Sequence, residues 1–270
     1  MTYLDFVKGH GTENDFVLLP DPDDHLELPP ELIRAICDRR AGIGADGVLR
    51  VVGVDGGWFM DYRNADGSIA EMCGNGARVF ARYLVDSGLA VAGELLIGTR
   101  AGPRTVQVPA VGDVTVDMGR PELLAGTHRI GRDTGAAVSM GNPHIVVTLA
   151  DEAALTALDL TVPPVVEPGL PAGQNVEFVV RAGERALSLR VHERGVGETR
   201  SCGTGVCAAA VATIMAAGQG RDEDWSVRVP GGVLTVRWAD SVLLTGPAVL
   251  VARGRLSTDG DRLLLGADHA

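Results

Sequence analysis

The chain carries one unusual element twice. "CGNGAR" begins at Cys73 and "CGTGV" at Cys202, and each opens a run with helix-like apolar character. A Cys-Gly-polar-Gly start lets the backbone turn tightly and leaves the first helical N–H groups uncovered. Those donors and the helix dipole make an anion site, and a cysteine placed there has its thiolate favoured. A chain that needs two such termini is most simply built from one unit used twice.

The repeat extends beyond the cysteines. Asn14 stands 59 positions before Cys73 in "GTENDFVLL", and Asn142 stands 60 before Cys202 in "GNPHIVVTL". Asn64 precedes Cys73 by nine residues, and Glu193 precedes Cys202 by nine. Gly88 and Gly218 are the expected C-terminal stops of the two helices. This spacing predicts two similar domains, 1–118 and 119–247, joined near Met118 to Glu122.

Between these landmarks the pattern is mostly short β-type runs, such as "GVLRVV", "DVTVDM", "HIVVTL" and "LTVRWAD". "PPELIRAICDRR" reads as an amphipathic helix with proline at its start, and "DEAALTALDL" as a short one. The first cysteine-led helix reads as amphipathic, with Arg78 and Arg82 on its polar side. The second, "GVCAAAVATIMAAG", is apolar all round and predicted to be buried. Many strands with few helices define an α+β class.

Composition excludes several functions. The net charge of −11, with no basic cluster, argues against nucleic acid and anionic membrane surfaces as partners. No apolar run is long enough to span a bilayer, and "MTYLDFVKGHG" has no signal-peptide character. Four cysteines without an export signal suggest reduced thiols in a cytoplasm. Lys8 is the only lysine, so a lysine Schiff base, including one to pyridoxal phosphate, must use Lys8 or not form.

Other signals read as structure. "GIGADG", Gly42–Gly47, fits a dinucleotide-binding expression, but it follows a helix and precedes a strand, the reverse of the required order, so it reads as a tight turn. Cys37 and Cys207 read as core packing, and "DPDD" and "RDED" as solvated loops. No short metal-ligand spacing occurs, so no metal is expected. His10 and His144 either orient a polar neighbour or assist thiol deprotonation, or are hydrogen-bonded structural histidines; His192 also lies near the site segments.

Two facing cysteine-led helices suit proton chemistry. One thiolate removes a proton from a carbon, and the opposite thiol delivers one, inverting the centre. Oriented N–H dipoles would hold the adjacent carboxylate and the charge that develops.

The segments "KGHGTENDF", "GIGADG", "NADGS", "MCGNGAR", "GNPH", "NVEF", "ERGVGETRSCGTGVCAA" and "LTGPA", from Lys8 to Ala248, resemble the diaminopimelate epimerase family. The resemblance implies interconversion of LL- and meso-diaminopimelate, without a cofactor, for lysine and peptidoglycan synthesis. It implies Cys73 and Cys202 as the acid–base pair and Gly74, Asn75, Gly203 and Thr204 as backbone donors to the reacting carboxylate. Asn14, Asn64, Asn142, Asn175, Glu193 and Arg194 would hold the amino groups and distal carboxylate. Two pseudo-two-fold related domains are implied, each a mostly antiparallel sheet curled around a central helix, with the site in the cleft. The resemblance also implies that the last strand, within 248–270, returns to the first domain, and that the protein is a homodimer. Two positions depart from the family pattern: Glu13, where glycine is usual, and Gly47, where some members carry a polar residue.

The alternatives are a proline or hydroxyproline racemase on the same scaffold and a non-catalytic metabolite-binding protein or thiol redox sensor. Asn75 and the "ERG" segment speak against the first, and retention of both cysteines with their polar partners against the second.

Overall fold

The computed structural model describes residues 2–259 and 262–264. The chain divides into two compact units, Met1–Val114 with Pro247–Ala270, and Thr115–Gly246. Each is an α+β unit of many strands and few helices, built on the same plan.

The first unit opens with β1 (Thr2–Gly11) and β2 (Asn14–Asp21), an antiparallel hairpin. Helix α1 (Pro30–Cys37) crosses to β3 (Gly47–Val54), which lies parallel to β2 and antiparallel to β4 (Gly57–Asn64). Helix α2 (Gly74–Asp86) then leads to β5 (Gly93–Gly98), parallel to β4, and β5 pairs antiparallel with β6 (Arg104–Val108). The parallel pairs arise only where a helix forms the crossover, as chain connectivity requires.

The second unit repeats this order. After β7 (Val114–Asp117) and β8 (Glu122–Ile130), β9 (Asp133–Ser139) and β10 (Pro143–Thr148) form the antiparallel pair. Helix α3 (Glu152–Thr156) precedes β11 (Asn175–Gly183), parallel to β10 and antiparallel to β12 (Ala186–Glu193). A short strand, β13 (Gly197–Thr199), and helix α4 (Gly203–Ala217) come next. Strand β14 (Asp224–Val229) lies parallel to β12, and β15 (Gly232–Trp238) and β16 (Val242–Gly246) continue antiparallel. The chain then re-enters the first unit as β17 (Val249–Asp259), antiparallel to β1, with β18 (Arg262–Leu264) beside it. Residues 260–261 and 265–270 of the returning segment lie outside the described residues.

Within its own unit, α2 packs on β1, β2, β3, β6 and β17, and α4 on β9 to β12 and β14 to β16. Helix α4 is buried from Gly203 to Ile214 except at Thr204, as its apolar sequence predicts, and ends at Gly218 with φ +67°. Helix α2 departs from its amphipathic reading. Arg78 and Arg82 are buried, not solvated. Their guanidinium groups find carbonyls instead: Arg78 donates to Pro247 O and Gly74 O, and Arg82 to Pro109 O and Gly112 O. A long, always-charged fork can meet its hydrogen bonds inside, which a periodicity argument does not anticipate.

Asp21 is a second correction. It belongs to no solvated loop but is buried, pairing with Arg50 and accepting from the backbone of His25 and Leu26. Cys37 packs in the apolar cluster of Leu32, Ile33 and Ile36, and burial pushes its thiol up to about 12.

The β1–β2 turn explains one departure. Thr12 and Glu13 both have positive φ, +51° and +62°, in a two-residue hairpin turn. Side chains adopt this conformation at a cost of about 1–2 kcal/mol, which glycine avoids. Glycine loses more chain entropy on folding, by roughly 0.5 kcal/mol. Glu13→Gly is therefore expected to stabilise the protein by up to about 1 kcal/mol, read as a higher urea midpoint at unchanged m-value. A lower midpoint would mean that the Glu13 side chain contributes more than its backbone strain costs.

Candidate active site

The strand registers align the two units residue by residue. In the first, Phe16 lies opposite Gly47, and Gly47 opposite Asn64. In the second, His144 lies opposite Asn175, and Val176 opposite His192, which sets Asn175 against Glu193. Asn14 and Asn142 each stand two residues before the first member of these rows. Asn14, Gly47, Asn64 and Cys73 thus correspond to Asn142, Asn175, Glu193 and Cys202.

In the first unit Cys73 is the N-cap of α2, with an extended backbone at φ −140°, and its sulfur accepts from Gly76 N at 3.4 Å. The thiol approaches Asn14 Oδ1 at 3.5 Å, and Asn75 Nδ2 donates to the same oxygen at 3.2 Å. Arg78 reaches under this group, donating to Asn75 Oδ1 at 3.0 Å and Thr12 Oγ1 at 3.3 Å. Asn64 Nδ2 donates to Ser68 Oγ at 2.9 Å, in the loop before the helix. His10 Nδ1 accepts from Glu13 N, so His10 secures the hairpin turn. Gly47 sits so close to its neighbours that an added Cβ would lie 2.5 Å from Arg63 O. The space where the second unit has Asn175 is closed by the Arg63 carbonyl and the Tyr62 ring.

In the second unit Cys202 is the N-cap of α4 and is buried, with Thr204 Oγ1 at 3.5 Å. Glu193 accepts a hydrogen bond from Thr199. Behind them His144 and Glu177, both fully buried, meet through Nδ1 and Oε1 at 2.7 Å, and His144 Nε2 faces Asn142 Oδ1 at 3.0 Å. Asn175 Oδ1 accepts from Arg194 N, while the Arg194 guanidinium bonds Ala172 O. His192 is tied to Leu160 O, a structural bond.

The electrostatics of Cys202 reverse the expectation of a thiolate at a helix start. Burial pushes this thiol well above its ordinary range, with the carboxylates of Glu193 and Glu177 adding to the shift. Hydrogen bonds from Thr204 and Gly205 only partly offset them. Glu193 is itself raised, mainly by burial. Desolvation of a charge in a dry interior outweighs the dipole of one helix. Cys202 thus rests as a neutral thiol, a proton donor. Iodoacetamide at pH 8 is expected to label Cys73, which is partly exposed, at least about tenfold faster than Cys202. Equal rates on peptide mass mapping would show that Cys202 is not kept protonated and enclosed in solution.

Glu177 and Asp46 were not among the residues singled out from sequence. A lone acid inside the apolar run "NVEFVV", two residues from Asn175 and so on the same strand face, was the available signal for Glu177. Asp46 gave none, lying in a turn. Among the described residues no group of three or more His, Cys, Asp or Glu is placed to hold a metal ion, and no helix is long and apolar enough to cross a membrane.

The duplicated α+β scaffold defines a class of protein with known folds. It is shared with a phenazine biosynthesis protein of the PhzF family from Bacillus anthracis, at TM-score 0.71 and 15% identity over 96% of this chain and all of that one. A hydroxyproline epimerase from Agrobacterium vitis has it too, at TM-score 0.67 and 15% identity over 94% and 92% of the two chains. The chain belongs to the diaminopimelate epimerase family, whose pattern it matches over residues 6–124 and 136–251. It is 50% identical to the diaminopimelate epimerase of Streptomyces coelicolor, covering 95% of this chain and 96% of that protein.

Proposed function

We propose that the protein is an isomerase that interconverts LL- and meso-diaminopimelate, moving the α-proton between Cys73 and Cys202 without a cofactor. The observation that carries this reading is the matched pair of cysteine N-caps on α2 and α4, each with its own set of polar partners. Membership of the family supplies the substrate.

Inversion at carbon takes one group to remove the proton and a second to deliver one to the opposite face. Cys202, held neutral, suits the donor at rest, and the roles exchange when the reaction reverses. The first residues of α2 and α4, Gly74, Asn75, Gly203 and Thr204, stand where a helix leaves N–H groups without an intrahelical acceptor, and they receive the reacting carboxylate. Asn14, Asn64, Asn142, Asn175, Glu193 and Arg194 together hold the amino groups and the distal carboxylate, and Arg194 suits the carboxylate, exchanging its bond to Ala172 O for a bidentate one. His144 acts through its bonds to Glu177 and Asn142, and His10 by steadying the turn that carries Asn14.

Lys8 supports a route without a Schiff base. Its ammonium pairs with Asp15 at 3.1 Å and donates to Gly44 O at 2.6 Å. The reading carries with it a homodimer in the cytoplasm; light scattering at twice the chain mass tests the former.

Purified, reduced protein with LL-diaminopimelate in deuterated water tests the activity. Loss of the α-proton signal with appearance of the meso form is the expected result. Exchange of proline or hydroxyproline instead would keep the scaffold and overturn the substrate. Silence with all three would favour the binding or redox-sensor reading.

A further inference from the structure

Asp46 sits in the Gly42–Gly47 turn and belongs to none of the groups assigned above. Its Oδ2 accepts from Asn14 Nδ2 at 2.7 Å and from Asp15 N at 3.2 Å. A carboxylate can only accept, so it dictates which end of the Asn14 amide faces it. The opposite end, Oδ1, is thereby turned toward Asn75 Nδ2 and the Cys73 thiol.

Asp46 is itself firmly placed. Arg39 bridges its Oδ1 at 2.6 Å to Asp15 at 2.7 Å, and Lys8 pairs with Asp15. The Asp46 backbone N–H donates to Asp15 O at 2.9 Å, and Lys8 also holds the turn through Gly44 O. The counterpart asparagine in the second unit is held differently: among the described residues, Asn142 turns its Oδ1 to His144 Nε2. The amide setting at Asn14 is therefore a feature of this unit and not of the repeat.

We propose that Asp46 is a positioning residue that locks the Asn14 side-chain amide with its oxygen toward Cys73. This rests on reading Cys73 as a proton-transfer group. An oxygen acceptor beside the sulfur favours the S–H form, whereas an amide N–H there would favour the thiolate. On its Cys73 side Asn14 thus offers an acceptor, for the thiol proton and for a substrate ammonium group, while its Nδ2 stays donated to Asp46. The charged groups around this pair are Asp15, Arg39 and Lys8 in the network and Arg78 on α2, which holds Asn75.

Asp46→Asn keeps the shape but offers an N–H in place of an acceptor, freeing the Asn14 amide to turn over. Alkylation of Cys73 by iodoacetamide at pH 7.5, followed peptide by peptide, is expected to accelerate about fivefold, the size of one net hydrogen bond. With LL-diaminopimelate, kcat is expected to fall by about tenfold or more, with KM changing less. The control is Asp15→Asn, which removes the same charge from the same network and leaves the Asp46–Asn14 bond in place. An equal acceleration in that variant would make the effect one of charge and overturn the positioning role, as would an unchanged or slower Cys73 in Asp46→Asn. Should Asp46→Asn not fold, nitrogen-15 NMR of the wild-type protein decides: Asn14 side-chain amide protons held against solvent exchange are expected, and freely exchanging ones overturn the assignment. Alkylation and NMR need no substrate, so a mistaken substrate would leave both results standing.

Discussion

Cys73→Ala and Cys202→Ala are each expected to abolish inversion, with kcat falling by at least about 10²–10⁴-fold, the range for loss of a positioned acid or base. Neither helix nor sheet depends on the sulfur: both residues are N-caps with extended backbone, and alanine accepts that conformation. Loss of the Cys73 cap bond to Gly76 N costs about 0.5–2 kcal/mol by the general scale for caps, so the variant should remain folded. The double variant should be hardly worse than either single one, because two groups that act in one proton relay are not additive. Cys37→Ala is the internal control. Its thiol lies in the core and is pushed up to about 12 by burial, so its loss is expected to leave kcat within about twofold. Progress curves by chiral chromatography give all four rates. A Cys202→Ala enzyme that still inverts would remove the two-thiol mechanism.

The second large effect concerns stability. By their registers, Phe16 and Leu49 in the first unit hold the positions equivalent to His144 and Glu177 in the second: Leu18, two after Phe16, pairs with Leu49, and Val146, two after His144, pairs with Glu177. The surroundings agree. A Cβ on Gly76 of α2 would touch Phe16 and Leu49 at 3.4–3.5 Å, and one on Gly205 of α4 would meet Glu177 Oε1 at 2.5 Å. One unit therefore fills this place with hydrocarbon and the other with a buried acid–imidazole pair. His144→Phe alone leaves the buried Glu177 side chain, whose Oε2 already lacks a hydrogen-bond partner, without its Oε1 bond as well, at a cost of about 1–3 kcal/mol or more. Glu177→Leu alone strands one imidazole N–H, at about 1–3 kcal/mol. His144→Phe with Glu177→Leu copies the solution of the first unit and is expected to recover most of the loss in urea unfolding, while activity stays low. A double variant no more stable than His144→Phe would show that the two units are not packed equivalently. Gly205→Ala follows the same logic, since the Glu177 oxygen cannot retreat without leaving His144, whereas Gly76→Ala meets only ordinary contacts.

Much of this was legible in the residues because it is local. Helix α1 starts at Pro30, α2 and α4 start directly after their cysteines, and Gly218 ends α4 with positive φ. Proline geometry, glycine freedom and the 3.6-residue period act over a few neighbours, so they survive in a bare sequence. The Asn14–Cys73 and Asn142–Cys202 spacings belong here too, for a duplicated fold keeps its connection lengths.

What the tertiary structure decided is which groups lose their water and which partner each then meets. Arg78 and Arg82 read as a polar face and are buried, because carbonyls from distant segments receive them. Cys202 reads as a thiolate and rests as a thiol, because burial strips it of water and carboxylates from β11 and β12 add to the shift. Asp46 reads as a turn residue and holds Asn14 across 32 positions. The chain alone determined two cysteine-led helices in a repeated α+β plan. Their protonation and the polarity of the amides beside them come from desolvation and from partners far apart in sequence, and both of those exist only in the folded protein.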